Sequence, residues 1–226
     1  MKTAFFELKN PEYLHETDDH GFPKSTAIYR IPTLPAYAIS HYTVNIEKIS
    51  DELFSQYHDS YEGEYVHISG LTELDEHRQA YAKPTFQINY LGILDYKKLF
   101  PHFRSDSLRE RAGQFMEEAD KAFDNSAWMS FLMMAGAVVE CVLFDLLKKS
   151  TASKATFGQL TKDVKNISVL DENDVKTIFG MVEARNLIHA GRYETPFVGR
   201  KLAIKTRLTL DNLLKMDWSE MKNGKD

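Results

Sequence analysis

Between Ala127 and Leu147 the chain is apolar almost throughout, with nine consecutive apolar or small residues from Phe131 to Val139 and two acids, Glu140 and Asp145, beyond them. A run of this length is too long for a strand and reads as a helix. Each acid would cost a few kcal/mol at a bilayer centre. The segment therefore predicts a helix buried in a bundle of other helices rather than a membrane span. An acid inside such a helix must find a cation or give up its proton. Glu140 thus predicts a partner on a neighbouring helix, with ion pairing to Arg185 or a hydrogen bond to Asn186 as the candidates.

The flanking signals are helical as well. Ser107 and Glu110 form a capping box that opens a helix through Phe123, with Leu108, Ala112, Phe115 and Ala119 on its inner face. Asn125 or Ser126 caps the apolar helix, and its closing Lys148 and Lys149 suit the negative end of the dipole. Thr156 and Gln159 form a second capping box for a short helix. Asp171 to Asp174 start a fourth, running through Ile178, Val182, Arg185 and His189 to a left-handed cap at Gly191. Arg200 to Leu214 form the last. Short connections make these an antiparallel bundle of four to five helices over residues 104–226.

Residues 1–103 have a different texture. Thr3–Leu8, Ala27–Ile31, Ala36–Ile46 and Thr85–Ile93 carry the aromatic and β-branched residues that favour strands. Ser50–Tyr57 and Leu71–Tyr81 read as helices, and Pro23, Pro32, Pro35 and Pro84 keep elements short. The expectation is a mainly α protein, in which a smaller α+β N-terminal elaboration (1–103) precedes the helical bundle (104–226).

At 226 residues and 43% hydrophobic content the chain buries a sizeable core. A single cysteine, Cys141, excludes a disulfide framework and a cysteine zinc site, and makes a reducing cytoplasm the default. Met1–Asn10 is too short and mixed for a signal peptide. His15, Asp18, Asp19 and His20 form the one metal-like cluster, and a turn explains them better. No phosphate-binding loop, dinucleotide fingerprint, nucleophile elbow or zinc-protease motif occurs, so no cofactor and no metal is expected.

Charge separates the two regions. Residues 1–103 hold 9 Lys/Arg against 15 Asp/Glu, net −6, whereas residues 104–226 hold 19 against 18, net +1. Arg192, Arg200, Lys201, Lys205 and Arg207 fall together with only Glu194 against them, which reads either as a phosphate-binding stripe or as a solvated helix face.

The segment Glu183-Ala-Arg-Asn-Leu-Ile-His-Ala-Gly-Arg192 sets Arg185 and His189 four apart on the expected fourth helix. There a fixed cation would neighbour the one side chain that trades protons near neutral pH. The residues also allow a plainer reading, with Arg185 paired to Glu140 and His189 capping the helix end. Arg185-Asn186, a short apolar step and His189-Ala-Gly-Arg192, after an apolar helix with a lone Glu140, resemble the HEPN superfamily of small helical ribonucleases and nucleotide-binding proteins. The resemblance covers roughly Arg104 to Leu214, with a shortened Arg-x3-His form of the motif.

The resemblance implies a homodimer whose motif helices bring Arg185, Asn186 and His189 of each protomer into one composite cleft. The implied chemistry is metal-independent RNA cleavage by 2′-OH attack, as in toxins or phage-defence effectors. His189 would move the proton, Arg185 would hold the phosphoryl oxygens, Asn186 would orient the substrate and Glu140 would support the motif. Arg192, Arg200 and Lys201 would contact RNA. The alternatives are a dimer that binds RNA or nucleotide without cutting, and a structural adaptor. An antitoxin or nucleotidyltransferase partner is also implied, the latter able to modify a tyrosine such as Tyr193 with AMP.

Overall fold

The computed structural model describes residues 1–17, 19–21, 23–46, 57–71, 84–149, 154–165 and 170–216. The helices expected at 50–57 and 71–81 lie almost wholly outside the described residues, as does Asp18. The chain divides into two compact units, Met1–Asp95 and Tyr96–Asp226.

Among the described residues the first unit holds seven strands: β1 (Lys2–Glu7), β2 (Glu12–Thr17), β3 (Pro23–Arg30), β4 (Tyr37–Asn45), β5 (His58–Glu62), β6 (Tyr65–Leu71) and β7 (Thr85–Ile93). They form two antiparallel sheets, ordered β1-β7-β4 and β2-β3-β6-β5. Alternation decides which face is buried. Ala4 and Phe6 with Phe86, Ile88 and Tyr90 from one sheet join Ala27, Tyr29, Val66 and Ile68 from the other in a single core. The Tyr42 hydroxyl donates to the Asp59 carbonyl at 3.0 Å, tying the sheets together. Strand β5 turns into β6 through Gly63-Glu64, with Gly63 at φ +58°, a conformation glycine adopts without Cβ strain.

Among the described residues the second unit holds five α-helices: α1 (Asp106–Asp124), α2 (Trp128–Leu146), α3 (Phe157–Lys165), α4 (Glu172–Asn186) and α5 (Arg200–Lys215). By length and composition α2 could cross a membrane, with a mean hydropathy of 1.8. It is instead the hub of the unit, packing on α1, α3, α4 and α5 through Phe131, Leu132, Ala135, Val138, Val139, Val142 and Leu143. Asp145, buried at its C-terminal end, accepts from the Arg104 backbone at 3.1 Å and from its Nε at 3.2 Å. A second buried acid, Asp120 of α1, accepts from the Tyr96 hydroxyl at 3.1 Å and from the Arg207 guanidinium, which also reaches Asp211 at 3.3 Å. Burial, then the nearby Asp120 charge, pushes the Tyr96 phenol well above its ordinary pKa.

The fold is mixed α+β, with 48% helix and 27% strand among the described residues, rather than mainly α. The misjudgement lies in β2, β5 and β6. At the sheet edges β2 and β5 bury almost nothing, so Glu12-Tyr-Leu-His-Glu-Thr17 and His58-Asp-Ser-Tyr-Glu62 lack the apolar alternation that marks a strand. Residues 96–103 belong with the helices. The Arg109 side chain donates to the Phe100 and Phe103 carbonyls at 3.2 and 2.7 Å, and a 3-10 turn at Tyr96–Leu99 lies against α1.

Capping also departs from expectation. Ser105, not Ser107, caps α1 by accepting from Leu108 N at 3.3 Å. Asn125 closes α1 by donating to the Lys121 carbonyl, and α2 starts without a side-chain cap. Thr156 accepts from Gln159 N at 3.3 Å, while the Gln159 amide turns forward to Asp163.

A Cβ at Gly113 would stand 2.9 Å from the Lys97 backbone nitrogen, whereas one at Gly180 would meet only a Leu202 methyl at 3.5 Å. Alanine favours a helix interior by about 1 kcal/mol over glycine, and overpacking against backbone costs about 1–3 kcal/mol. In denaturant titrations Gly113→Ala should lower stability by about 1–2 kcal/mol and Gly180→Ala should raise it by up to about 1 kcal/mol.

Candidate nucleic-acid interface

Helix α4 is set by its cap and its inner face. Asp171 accepts from Asp174 N at 2.7 Å, and the Asp174 carboxylate accepts from the Thr209 hydroxyl at 2.7 Å, joining α4 to α5. Val175, Ile178, Met181 and Ala184 are buried. This places Arg185 at the meeting of three helices. Its guanidinium donates to Glu140 Oε2 of α2 at 2.7 Å and lies 5.9 Å from the ring centre of Phe157, the first residue of α3. Both partners keep some solvent contact, with side chains 41% and 31% exposed.

Helix α4 ends at Asn186, so Arg185 and His189 are not neighbours on one helical face. The reason lies in burial. After Ala184 the next apolar position of the pattern, Ile188, is 55% exposed, so no packing sustains another turn. His189 has an extended backbone, φ −78° and ψ 130°, and is exposed, as is Asn186. Gly191 is not a left-handed cap, since the positive-φ glycines among the described residues are Gly21, Gly63 and Gly70. Four successive turn hydrogen bonds shape the segment instead: Leu187 N to Ala184 O, His189 N to Asn186 O, Arg192 N to His189 O and Thr195 N to Arg192 O, at 2.9 to 3.2 Å.

Beyond this segment α5 opens at Gly199 with no side-chain cap and no acid in its first turn. Arg200 and Lys201 sit there, exposed, at the positive end of the helix dipole. Cations in that position are disfavoured by about 0.3–1 kcal/mol each. Folding alone would place acids there, whereas an anionic ligand would be drawn to the positive helix start and to both charges. Arg192 and Lys205 are exposed too, but Arg207 turns inward to Asp120 and Asp211 and leaves the stripe.

No family model, curated protein or solved structure matches this chain.

The exposed large hydrophobic residues of the helical unit, among those described, are Ile188, Tyr193, Phe197, Ile204 and Leu208. All fall within the basic stretch from the end of α4 to the middle of α5. Phe197 carries no role in the sequence reading, although an aromatic ring between Pro196 and Gly199 in a stretch bounded by basic residues is a usable signal. In the first unit His15 of the metal-like cluster bonds Ser25 at 3.0 Å, and no group of three or more metal-ligating side chains occurs among the described residues.

Cys141, beside Glu140 on α2, has its thiol pushed up to about 11 by burial and then by the Glu140 charge. A pKa raised on folding contributes stability below the unfolded value and loses it as pH rises through the folded one. Cys141 should resist alkylation at pH 8 in the native protein, react on unfolding, and cease to add stability as pH climbs from about 9 to 11. Rapid alkylation of the native thiol at pH 8 contradicts this.

Proposed function

We propose that the helical unit binds RNA through the segment from Ile188 to Lys205, and that it holds the strand without depending on cleavage. The single observation that carries the reading is the uncapped start of α5, where Arg200 and Lys201 stand against the dipole. Arg192 and Lys205 extend the run of cations on either side, and Glu194 is the one acid within residues 188–205. Phosphates would meet backbone amides and cations together at the α5 start. The HEPN-like motif takes part as a scaffold: Arg185, held by Glu140, fixes the end of α4 from which the segment departs. Ile188, Ile204 and Leu208 supply exposed apolar area for the homodimer that the resemblance implies.

A second reading is RNA cleavage at a composite dimer site, favoured by the exposure of His189 and Asn186 beside Arg192. In that case His189 moves the proton of the 2′-OH and Arg192 joins Arg185 in holding the phosphate. Binding that leaves RNA intact supports the first reading. Cleavage abolished by His189→Ala, with growth arrest on overexpression relieved by the same change, supports the second.

Lys201→Glu discriminates function from fold. It should stabilise the protein by about 0.3–1 kcal/mol, because an acid suits the helix start. It should also weaken RNA binding and reduce the salt dependence of binding by about 0.7–1 in log–log slope, the loss of a phosphate contact. Unchanged affinity in filter binding at low salt contradicts the proposal.

A further inference from the structure

We propose that Tyr193 and Phe197 are base-stacking platforms that make this surface select unpaired RNA over duplex. The inference rests on the reading of residues 188–205 as an RNA contact and adds a specificity that the cations cannot supply. Tyr193 is 84% exposed and Phe197 74% exposed, the two largest exposures among the described large hydrophobic side chains of the helical unit. Neither ring is used by the core. Turn hydrogen bonds hold the backbone on both sides of Tyr193, from Arg192 N to His189 O and from Thr195 N to Arg192 O, both at 2.9 Å, and the ring of Pro196 fixes its own φ immediately before Phe197. The rings are therefore presented rather than left over from a loose tail.

Their surroundings decide the partner. Arg192 precedes one ring, while Arg200 and Lys201 follow the other. Two flat π-faces flanked by cations, with Glu194 as the one charge between them, match a strand whose bases are splayed and whose phosphates run alongside the outer cations. An A-form duplex buries its base faces in the stack and offers phosphates, 2′-hydroxyls and base edges, so it can use the cations and not the rings.

The test uses the full-length chain with a labelled oligouridylate of about 12 nucleotides, within the site size of such surfaces, and an oligoadenylate–oligouridylate duplex of equal length. The wild type should bind the single strand more tightly. Tyr193→Ala and Phe197→Ala should each lower single-strand affinity about 5- to 150-fold, the size of one aromatic–base stack, and leave duplex affinity unchanged. Tyr193→Phe should retain single-strand binding, since the ring and not the hydroxyl is required.

Equal affinity for both RNAs, unaffected by either alanine change, overturns stacking and leaves the RNA contact standing. Binding to neither RNA at low salt removes the contact itself. Ring-dependent binding to phosphatidylserine vesicles, without preference between the RNAs, would assign the rings to an anionic lipid surface and overturn the inference.

Discussion

The helical unit depends on burying α2, an apolar helix that cannot face water and carries two acids it must neutralise. Each methylene removed from water contributes about 0.8 kcal/mol, which gathers α1, α3, α4 and α5 around Phe131, Leu132, Ala135 and Leu143. Glu140 and Asp145 then fix where the surrounding cations go. Arg104 answers Asp145 and brings the stretch before α1 across the end of α2. Arg185 answers Glu140 and sets the C-terminal end of α4. The apolar run thus selects its neighbours, and its acids select their orientation.

That division of labour separates the two halves of the Arg-x3-His motif. Arg185 is tied to a carboxylate and packed beside Phe157, and so belongs to the framework. From Leu187 to Lys201 the chain leaves the helix and carries the exposed rings of Tyr193 and Phe197 and the exposed cations Arg192, Arg200 and Lys201. Charge supports the same partition. Met1–Asp95 holds 7 Lys/Arg against 15 Asp/Glu, net −8, and Tyr96–Asp226 holds 21 against 18, net +3, so a polyanion is repelled by the first unit and tolerated by the second.

Much of this was legible in the sequence where burial and periodicity agree. Thr85–Ile93 alternates with Phe86, Ile88 and Tyr90 inward and forms the central strand of its sheet. Glu140, an acid in an apolar helix, pointed to Arg185 because a half-buried carboxylate is favoured by a nearby cation. Signals failed where exposed residues imitate a pattern. Leu187-Ile188 extended the apolar period of α4 on paper, yet Ile188 buries too little to hold His189 in a helix. Arg207 looked like part of the basic stripe until the buried Asp120 claimed it. Edge strands β2 and β5 stayed hidden because their stability comes from backbone pairing to β3 and β6, which side-chain composition does not record.

The central claim is that Arg185 serves the fold through Glu140. A double-mutant cycle with Glu140→Ala and Arg185→Ala, followed by denaturant unfolding, tests it directly. A coupling energy of about 0.5–3 kcal/mol, as for contacting residues, is predicted. Stability changes that add to within about 0.3–0.5 kcal/mol would contradict it, leaving the guanidinium at the end of α4 available to a ligand rather than committed to the apolar helix.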